Sequence, residues 1–235
     1  MLRLDAVTEH VRIGEVWYSL AEDASVVIPP GRYALLFTDA VLGPHAVDLL
    51  AGTKPPRRGR VFCAGNRSWA IGRSTILYGA ASGGEVVSLI SRLYGLDRQL
   101  CESVITRLLT FPGQFDGPMS RWTPLMRREF LFGLGLLPQF DVYFVEGPPP
   151  TRGTRFPYLW SPLFGERLLR RMLIMSDLRP ASEFTKYCDK ALIFDRGRIF
   201  IEPDLAAALE RYHSVAQALE GSREDQMLDE EDADL

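Results

Sequence analysis

The stretch LLFTDAVLGPHAVDLLAG, from Leu35 to Gly52, has the layout of a phosphate-binding loop. Apolar residues suited to a strand lead into a loop, and the loop leads into an apolar helix that ends in Ala-Gly. In such loops the backbone amides surround the phosphates, a lysine reaches their oxygens, and a serine or threonine holds Mg²⁺. This stretch has no lysine, and its one candidate cation, His45, is mostly neutral at pH 7. We therefore expect an ordinary connection between a strand and a helix.

The apolar pattern around this stretch predicts the elements that position it. Strands are predicted at LRLDAV, GEVWYSL, SVVI and RYALLF within residues 2–37, at RVFCAG (60–65) and at VYFV (142–145). Helices are predicted at 44–51, in periodic stretches within 84–137 and at 203–220, with a hairpin turning at Arg-Gly within 191–202. This order indicates an α/β fold with a mixed sheet and an inserted helical subdomain at about 84–137.

Composition limits the classes of function. A chain of 235 residues can bury a real core, as one domain or as one domain with a subdomain. The three cysteines, Cys63, Cys101 and Cys188, are scattered and fit neither a disulfide framework nor a zinc site, so no metal is expected. No apolar run reaches the roughly 18–20 residues that a membrane span needs, and we expect a cytoplasmic protein.

Acidic residues are concentrated at the C-terminus. Residues 223–235 hold seven acids and one arginine, a net charge of −6, whereas the whole chain carries −3, which leaves +3 on the body. A polar stretch of like charge cannot build a core. We therefore predict a domain at 1–222 followed by a disordered acidic tail at 223–235.

Several phrases resemble, in order and spacing, those of ABC-transporter ATP-binding subunits of the capsular-polysaccharide export type. They are RSWAIG (68–73), SGGEVVSLISRLYG (82–95), QFDVYFVEG (139–147) and EFTKYCDKALIFDRGRI (183–199). In that family they correspond to the strand entering the Q-loop, the following helix, the Walker B strand and the region after the switch histidine. The resemblance spans about residues 1–215 and implies the ATP-binding-cassette fold.

The resemblance implies a Walker A loop over the opening stretch, but the residues depart from the family's pattern. Anchored on LLAG (49–52), the pattern GxxxxGK[ST] has its first glycine near Ala40, its lysine at Gly43 and its serine at Pro44. Gly43 supplies no charge, and Pro44 has no N–H to donate. His45 remains as the nearest candidate cation, and we expect a degenerate nucleotide-binding loop.

The Walker B and signature motifs depart from the family in the same way. The acid that binds Mg²⁺ and the glutamate that activates water correspond to Glu146 and Gly147, and Gly147 cannot act on water. The LSGGQ signature, which contacts the γ-phosphate from the opposite subunit, loses both glycines. Its residues here are Trp122, Thr123, Pro124, Leu125 and Met126. We expect no catalytic residue in either motif.

Three loop positions and one aromatic that complete the family's site also differ. The Q-loop glutamine corresponds to Tyr78, the D-loop aspartate to Gly153 and the switch histidine to Leu178 or Arg179. The adenine-stacking aromatic falls close to Val11, although Trp17 or Tyr18 could substitute for it. An ABC site combines the Walker A loop of one subunit with the signature of the other. A homodimer of a chain that lacks both therefore has no complete site.

The leading hypothesis is a pseudo-ATPase, a catalytically degenerate ATP-binding subunit that is a structural or regulatory component of a capsule-type polysaccharide exporter. Neither ATP hydrolysis nor a cofactor is expected. One alternative is an active transport ATPase with an atypical P-loop, which would use Glu146 for Mg²⁺ and bind Mg-ATP. Another is a soluble binding or regulatory module in polysaccharide synthesis.

The resemblance also implies partners and a location. A membrane permease, an ATPase paralogue or both would bind the chain at the inner face of the cell membrane. A homodimer is a further option, and no nucleic-acid partner is expected. Trp69, Tyr78 and Tyr94 lie in the region that contacts the permease in the resembled family, and we predict permease docking there.

Overall fold

The computed structural model describes residues 1–73, 80–147, 149–150, 154–176 and 182–211, which form two sheets with flanking helices. The strands are β1 Leu2–Ile13, β2 Val16–Ile28, β3 Arg32–Phe37, β4 Arg58–Cys63, β5 Arg67–Ile71, β6 Val142–Glu146, β7 Met172–Ser176, β8 Lys190–Asp195 and β9 Arg198–Glu202. The helices are α1 Gly43–Ala51, α2 Gly83–Tyr94, α3 Arg98–Leu108, α4 Pro124–Leu134, α5 Phe156–Arg167 and α6 Ser182–Tyr187, and 205–211 is also helical. The predicted α/β fold class is confirmed.

The smaller sheet is antiparallel, with the strand order β2-β1-β4. Its strands are longer than predicted, because β1 extends to Ile13 and the predicted strands GEVWYSL and SVVI form one continuous strand, β2. The intervening residues stay in β2 because the pairing register shifts beside Val7, and Asp23 adopts a left-handed φ of 46°. Buried residues such as Leu4 and Leu20 pack this sheet onto one face of the larger one.

The larger sheet has the strand order β5-β6-β7-β3-β8-β9 and is mixed, as predicted. Strands β5, β6, β7, β3 and β8 pair in parallel, and β9 pairs antiparallel with β8. The predicted Arg-Gly turn joins these last two strands, with positive φ angles at Arg196 (47°) and Gly197 (81°). Strands covered on both faces must be apolar throughout, and Val142 to Val145 of β6 are all buried.

The helices α2, α3 and α4 come between β5 and β6 in the chain and share an apolar core. Its buried members are Val87, Ile90, Cys101, Ile105, Leu109, Phe115, Met119, Trp122, Met126, Phe130, Leu134 and Leu137. The helices are shorter than the predicted periodic stretches. Helix α3 ends at Leu108 because Leu109 is extended, and α4 begins at Pro124 after the capping residue Thr123. The subdomain boundaries at 84–137 stay a prediction.

One edge of the larger sheet brings the candidate nucleotide residues together. The carboxyl ends of parallel strands lie at the same edge, and ligands bind there in open α/β sheets. The ends of β3, β5, β6 and β7, at Phe37, Ile71, Glu146 and Ser176, form this carboxyl edge. The loop into α1 begins at the end of β3 and therefore lies there too.

Candidate functional site

The loop between β3 and α1 is a right-handed turn that runs into the helix. Ala40–Leu42 form a 3₁₀ turn, and Leu42, directly before α1, has φ −78° and ψ −15°. The Leu42 amide donates to the Asp39 carbonyl oxygen at 3.1 Å. An anion-binding nest needs successive amides that point at one spot, as alternating right- and left-handed residues provide. Here the turn follows a helical pattern, and the Leu42 amide is already used inside it.

Gly43, Pro44 and His45 form the first turn of α1. Gly43 is buried, and a side chain there would meet the Phe37 ring at 3.4 Å and the Ser176 Oγ at 3.5 Å. Pro44 has no N–H, so this helix start offers one donor fewer than usual, and no side chain caps it. Burial lowers the pKa of His45, whose imidazole is therefore neutral at pH 7. The first turn itself supplies no positive charge.

A cation from another element lies beside this turn. Arg73, two residues beyond β5, donates from Nε to the Glu146 Oε2 at 2.5 Å and from one terminal nitrogen to the Asp48 Oδ1 at 2.5 Å. Its other terminal nitrogen donates to the Pro44 carbonyl oxygen at 2.9 Å. The side chains of Arg73, Asp48 and Glu146 are 17%, 15% and 21% exposed, so the two ion pairs are partly shielded from water. We call these three residues the Arg73 cluster.

Gly147 follows Glu146 and is bonded to the neighbouring strand. Its amide donates to the Ser176 carbonyl oxygen at 2.6 Å, and its φ of 78° is a left-handed conformation that favours glycine. A side chain at this position would lie 3.1 Å from a terminal nitrogen of Arg128 on α4. The predicted position of the water-activating glutamate is thus held by backbone contacts.

Little space remains where α1 faces the smaller sheet. The cavity there has a volume of about 30 Å³, and its walls include Val11, Leu20, His45 and Asp48. That volume suits about one water molecule, whereas ligand pockets usually have roughly 300–1,000 Å³. Val11, the predicted position of the adenine-stacking residue, is buried in this wall, while Trp17 is 61% exposed at the far end of the β1–β2 hairpin.

The predicted signature residues form the start of α4 and part of the helical core. Trp122 is buried, and its indole donates to a backbone carbonyl of the preceding segment at 2.9 Å. The Thr123 hydroxyl accepts a hydrogen bond from the Met126 amide at 3.2 Å, and Pro124 is the first residue of the helix. The Thr123 hydroxyl is therefore used by its own helix, and Pro124 offers no N–H to a ligand.

Two of the three predicted docking residues form an aromatic cluster with Phe140. The ring centroids of Trp69 and Tyr94 lie 6.2 Å apart, and those of Phe140 lie 5.5 Å from Trp69 and 5.7 Å from Tyr94. Within the described part of the chain, the buried indole N–H of Trp69 has no hydrogen-bond partner. Tyr78 lies outside the described residues. So do Gly153, Leu178, Arg179 and the predicted tail at 223–235.

Tyr94 lines a wide groove between α3, α5 and the segment before β6, which we call the α3–α5 groove. Its volume is about 840 Å³. Its walls are mainly apolar and include Leu100 and Leu163, which are 65% and 41% exposed. Asp97 and Glu166 add two carboxylates to the lining, and Arg167 adds a positive charge. The groove is large enough for a ligand or a segment of a partner.

Metal and membrane features are limited in the described part of the chain. None of its His, Cys, Asp and Glu side chains form a group of three or more placed to hold a metal ion. No described helix has the length and apolar character to cross a bilayer. The three cysteines are free, and burial raises the pKa of Cys188 to about 12, which makes its thiol unreactive.

Solved structures with the same architecture identify the fold. The ATP-binding subunit of an ABC transporter superposes on 91% of this chain and 93% of its own length, with a TM-score of 0.70 and 15% sequence identity. A bacterial ABC transporter cassette in its dimeric form superposes on 86% of this chain and 98% of its own, with a TM-score of 0.67 and 10% identity. The chain has the ATP-binding-cassette fold.

Sequence relatives agree with the fold. CtrD, the capsule polysaccharide export ATP-binding protein of Neisseria meningitidis serogroup B, is 22% identical over 217 residues, which cover 92% of this chain and 100% of CtrD. The chain is a homologue of the capsule-export ATP-binding proteins. KpsT, a polysialic acid transport ATP-binding protein of Escherichia coli, is 23% identical over 85% of this chain and 90% of KpsT. No family model matches the chain. The resemblance stated from the sequence is confirmed.

Sequence patterns do not single out Arg73 and Asp48, which the structure brings to Glu146. One signal is present: β5 and β6 are neighbours, so a residue just past β5 must lie close to the end of β6. Asp48 follows Pro44 by four residues on α1 and so lies on the same face of the helix. Arg73 has no place in the Walker patterns, and only the packed structure shows its three contacts.

Proposed function

We propose that this chain is a pseudo-ATPase that acts as a structural or regulatory component of a capsule-polysaccharide ABC exporter. Two of its relatives are named for capsule polysaccharide export and for polysialic acid transport. The observation that carries the proposal is the start of α1. A right-handed turn, a proline and a neutral histidine occur there, whereas a triphosphate needs converging amides and a lysine.

The proposal does not depend on how the Walker A pattern is aligned. With Gly43 at the lysine position, Pro44 takes the serine position. With Gly43 as the second glycine, because it opens the helix, Pro44 takes the lysine position and His45 that of the serine. Neither alignment supplies a lysine. Each lost charge-assisted bond forfeits about 1.5–3 kcal/mol, and every 1.4 kcal/mol is tenfold in affinity, so two losses carry a micromolar site to about the millimolar range.

The remaining parts of the site support the same proposal. Glu146, the residue at the Mg²⁺-binding position, is paired with Arg73. Gly147 has no side chain to polarise a water molecule. The hydroxyl of Thr123, at the signature serine position, is used as a helix cap. Both halves of a composite ABC site are thus altered in one chain, so a homodimer would have two defective sites.

We assign the permease contact to the α3–α5 groove and the aromatic cluster beside it. Tyr94 belongs to both, and Leu100 gives the groove an exposed apolar surface of the kind that marks interaction sites. The partner would be the permease subunit of the exporter, and the chain would lie at the inner face of the membrane. A second copy or an ATPase paralogue would complete the assembly, since an ABC cassette of this fold has been solved as a dimer.

Titration calorimetry with Mg-ATP tests the proposal against the alternative of an active ATPase. We expect no binding up to millimolar Mg-ATP and no phosphate release, while CtrD purified in the same way serves as the control for ATP binding. Submillimolar binding with turnover that is lost in Glu146→Ala would overturn the proposal. The chain would then be an active ATPase with an atypical P-loop, with Mg-ATP as its ligand.

A pull-down from native membranes with mass spectrometry tests the partner. Recovery of a permease, with or without an ATPase paralogue, is the expected result. Recovery of enzymes of polysaccharide synthesis without any permease would instead favour a soluble regulatory module.

A further inference from the structure

Arg73 joins three separate elements at the carboxyl edge. It extends from the end of β5, pairs with Glu146 at the end of β6 and with Asp48 in the middle of α1, and donates to a carbonyl oxygen in the first turn of α1. Among the described residues, the Arg73 guanidinium donates hydrogen bonds to two carboxylate oxygens and one carbonyl oxygen. A guanidinium stays protonated at every physiological pH, so this positive charge is permanent.

The position of the guanidinium has a chemical equivalent in P-loop NTPases. In those proteins Mg²⁺ lies between the first turn of the helix and the Walker B carboxylate, and carboxylates also suit Mn²⁺ and Ca²⁺. Here the first turn of α1 and Glu146 are bridged by Arg73. A divalent ion that approached Glu146 would have to displace the guanidinium from two carboxylates and would meet its like charge.

We propose that Arg73 is the resident cation of this edge, which takes the place of a divalent metal and prevents Asp48 and Glu146 from binding one. The inference rests on the proposed function in one respect, because it explains how a cassette without nucleotide keeps its carboxyl edge assembled. It adds two residues, Arg73 and Asp48, that no nucleotide-binding motif contains. Arg73 is a positioning residue, since it holds the ends of β5 and β6 against α1.

The proposal predicts a gain of metal binding when the guanidinium is removed. In Arg73→Met the side chain keeps a similar length but carries no charge, so among the described residues Glu146 loses its ion pair and Asp48 keeps only the exposed Lys54, whose Nζ lies 3.8 Å from its Oδ2. A divalent ion then replaces the missing charge. Arg73→Lys keeps a positive charge and should still exclude the metal.

The experiment measures Mn²⁺ binding by electron paramagnetic resonance and the thermal midpoint with Mn²⁺ or with chelator. The wild type and Arg73→Lys should bind no Mn²⁺ at this edge. Arg73→Met should bind Mn²⁺ at least tenfold more tightly than the highest affinity that the wild-type titration would leave undetected, and it should gain thermal stability from the ion. Adding Glu146→Gln to Arg73→Met should abolish the gain. Arg98→Met, which removes the surface pair of Arg98 and Glu102, is the matched control and should gain nothing.

Each outcome decides the proposal. Folded Arg73→Met without Mn²⁺ binding overturns it, and so does a wild type that binds Mn²⁺ as tightly as the variant. If Arg73→Met folds only with Mn²⁺ present the proposal stands, and if Mn²⁺ does not rescue its folding the proposal fails. Submillimolar binding of Mg-ATP by the wild type would overturn the proposed function instead, and it is measured separately with nucleotide.

Discussion

The two edges of the larger sheet differ in the side chains that the described residues place there. At the carboxyl edge the Arg73 cluster bridges α1 to β6, and the cavity between α1 and the smaller sheet has about 30 Å³. The opposite edge, where β5 and β6 begin at Arg67 and Val142, carries the α3–α5 groove of about 840 Å³. In an ABC protein the carboxyl edge is expected to receive the nucleotide. Of these two cavities of the described residues, the larger lies at the other edge.

The two edges differ in the side chains at the strand ends, whereas the strands between them belong to one continuous sheet. Strands β5, β6 and β7 contribute to both edges and are buried along most of their length. At their carboxyl ends, charged side chains bond to one another. At their amino ends, the groove exposes Tyr94 and Leu100. The same scaffold can therefore carry different side chains at its two edges, because the core does not depend on either set.

The largest expected effect tests whether one core supports both edges. Trp160 of α5 is 1% exposed, stacks on Phe164 and donates its indole N–H to the Phe132 carbonyl oxygen. Trp160→Ala should lower the free energy of unfolding by about 3–5 kcal/mol, because it leaves a large cavity. Urea denaturation measures the loss. Tyr158→Ala, at an 81% exposed position on the same helix, should change it by less than about 0.5 kcal/mol. A loss of stability in Trp160→Ala as small as that in Tyr158→Ala would show that α5 is not part of a shared core.

The second prediction tests how tightly the carboxyl edge is packed. Gly72 precedes Arg73 and has φ 97°, and a side chain there would lie 2.4 Å from the Glu146 carbonyl oxygen. Gly72→Ala should cost roughly 2 kcal/mol of unfolding free energy, because both the backbone conformation and the close contact oppose it. Gly113→Ala is the control, since a side chain at Gly113 meets nothing within 4 Å. Equal stability of the two variants would contradict the close packing.

Local turn chemistry and apolar period made much of the fold predictable. The β8–β9 hairpin is signalled by its Arg-Gly turn, and β3 by an apolar run after Pro-Pro-Gly. The continuous strand β2 was missed because its middle, AED (21–23), is polar in sequence. It stays in the strand through pairing with β1, a contact between residues far apart in the chain. Short-range patterns carry no information about such a contact.

The candidate site was less predictable for the same reason. Sequence alone shows that lysine is missing from the loop and that glycine follows Glu146, since these are facts of residue type. It does not show which side chains lie beside Glu146 and the first turn of α1. Arg73 is 25 residues from Asp48 and 73 residues from Glu146 along the chain, and only packing brings the three together. Similarly, Tyr94 was predicted for docking from a resemblance, but the groove beside it depends on α5.

The third prediction concerns the groove. Leu100→Asp should leave the free energy of unfolding within about 0.5 kcal/mol of the wild type, because the side chain is 65% exposed. Capture of the permease should weaken at least tenfold, about 1.4 kcal/mol, because a charged carboxylate would replace an exposed apolar side chain of the groove. Leu169→Asp is the matched control, since Leu169 is 66% exposed and lies outside the groove lining. Equal loss of capture in both variants would argue against the groove.

The smallest effect is a pH dependence that arises at the carboxyl edge. Burial lowers the pKa of His45 below its ordinary value of 6.5, so the folded chain binds this proton less well than the unfolded chain. The contribution of neutral His45 to stability is therefore complete above 6.5 and falls as the pH drops through 6.5 to the folded pKa. His45→Gln removes the titrating group and should flatten this part of the profile, measured as urea midpoints between about pH 5 and 7.5. An unchanged slope would mean that His45 takes up a proton as easily in the folded chain as in the unfolded one. The first turn of α1 could then carry a positive charge of its own, in addition to those of Arg73 and Lys54 beside Asp48.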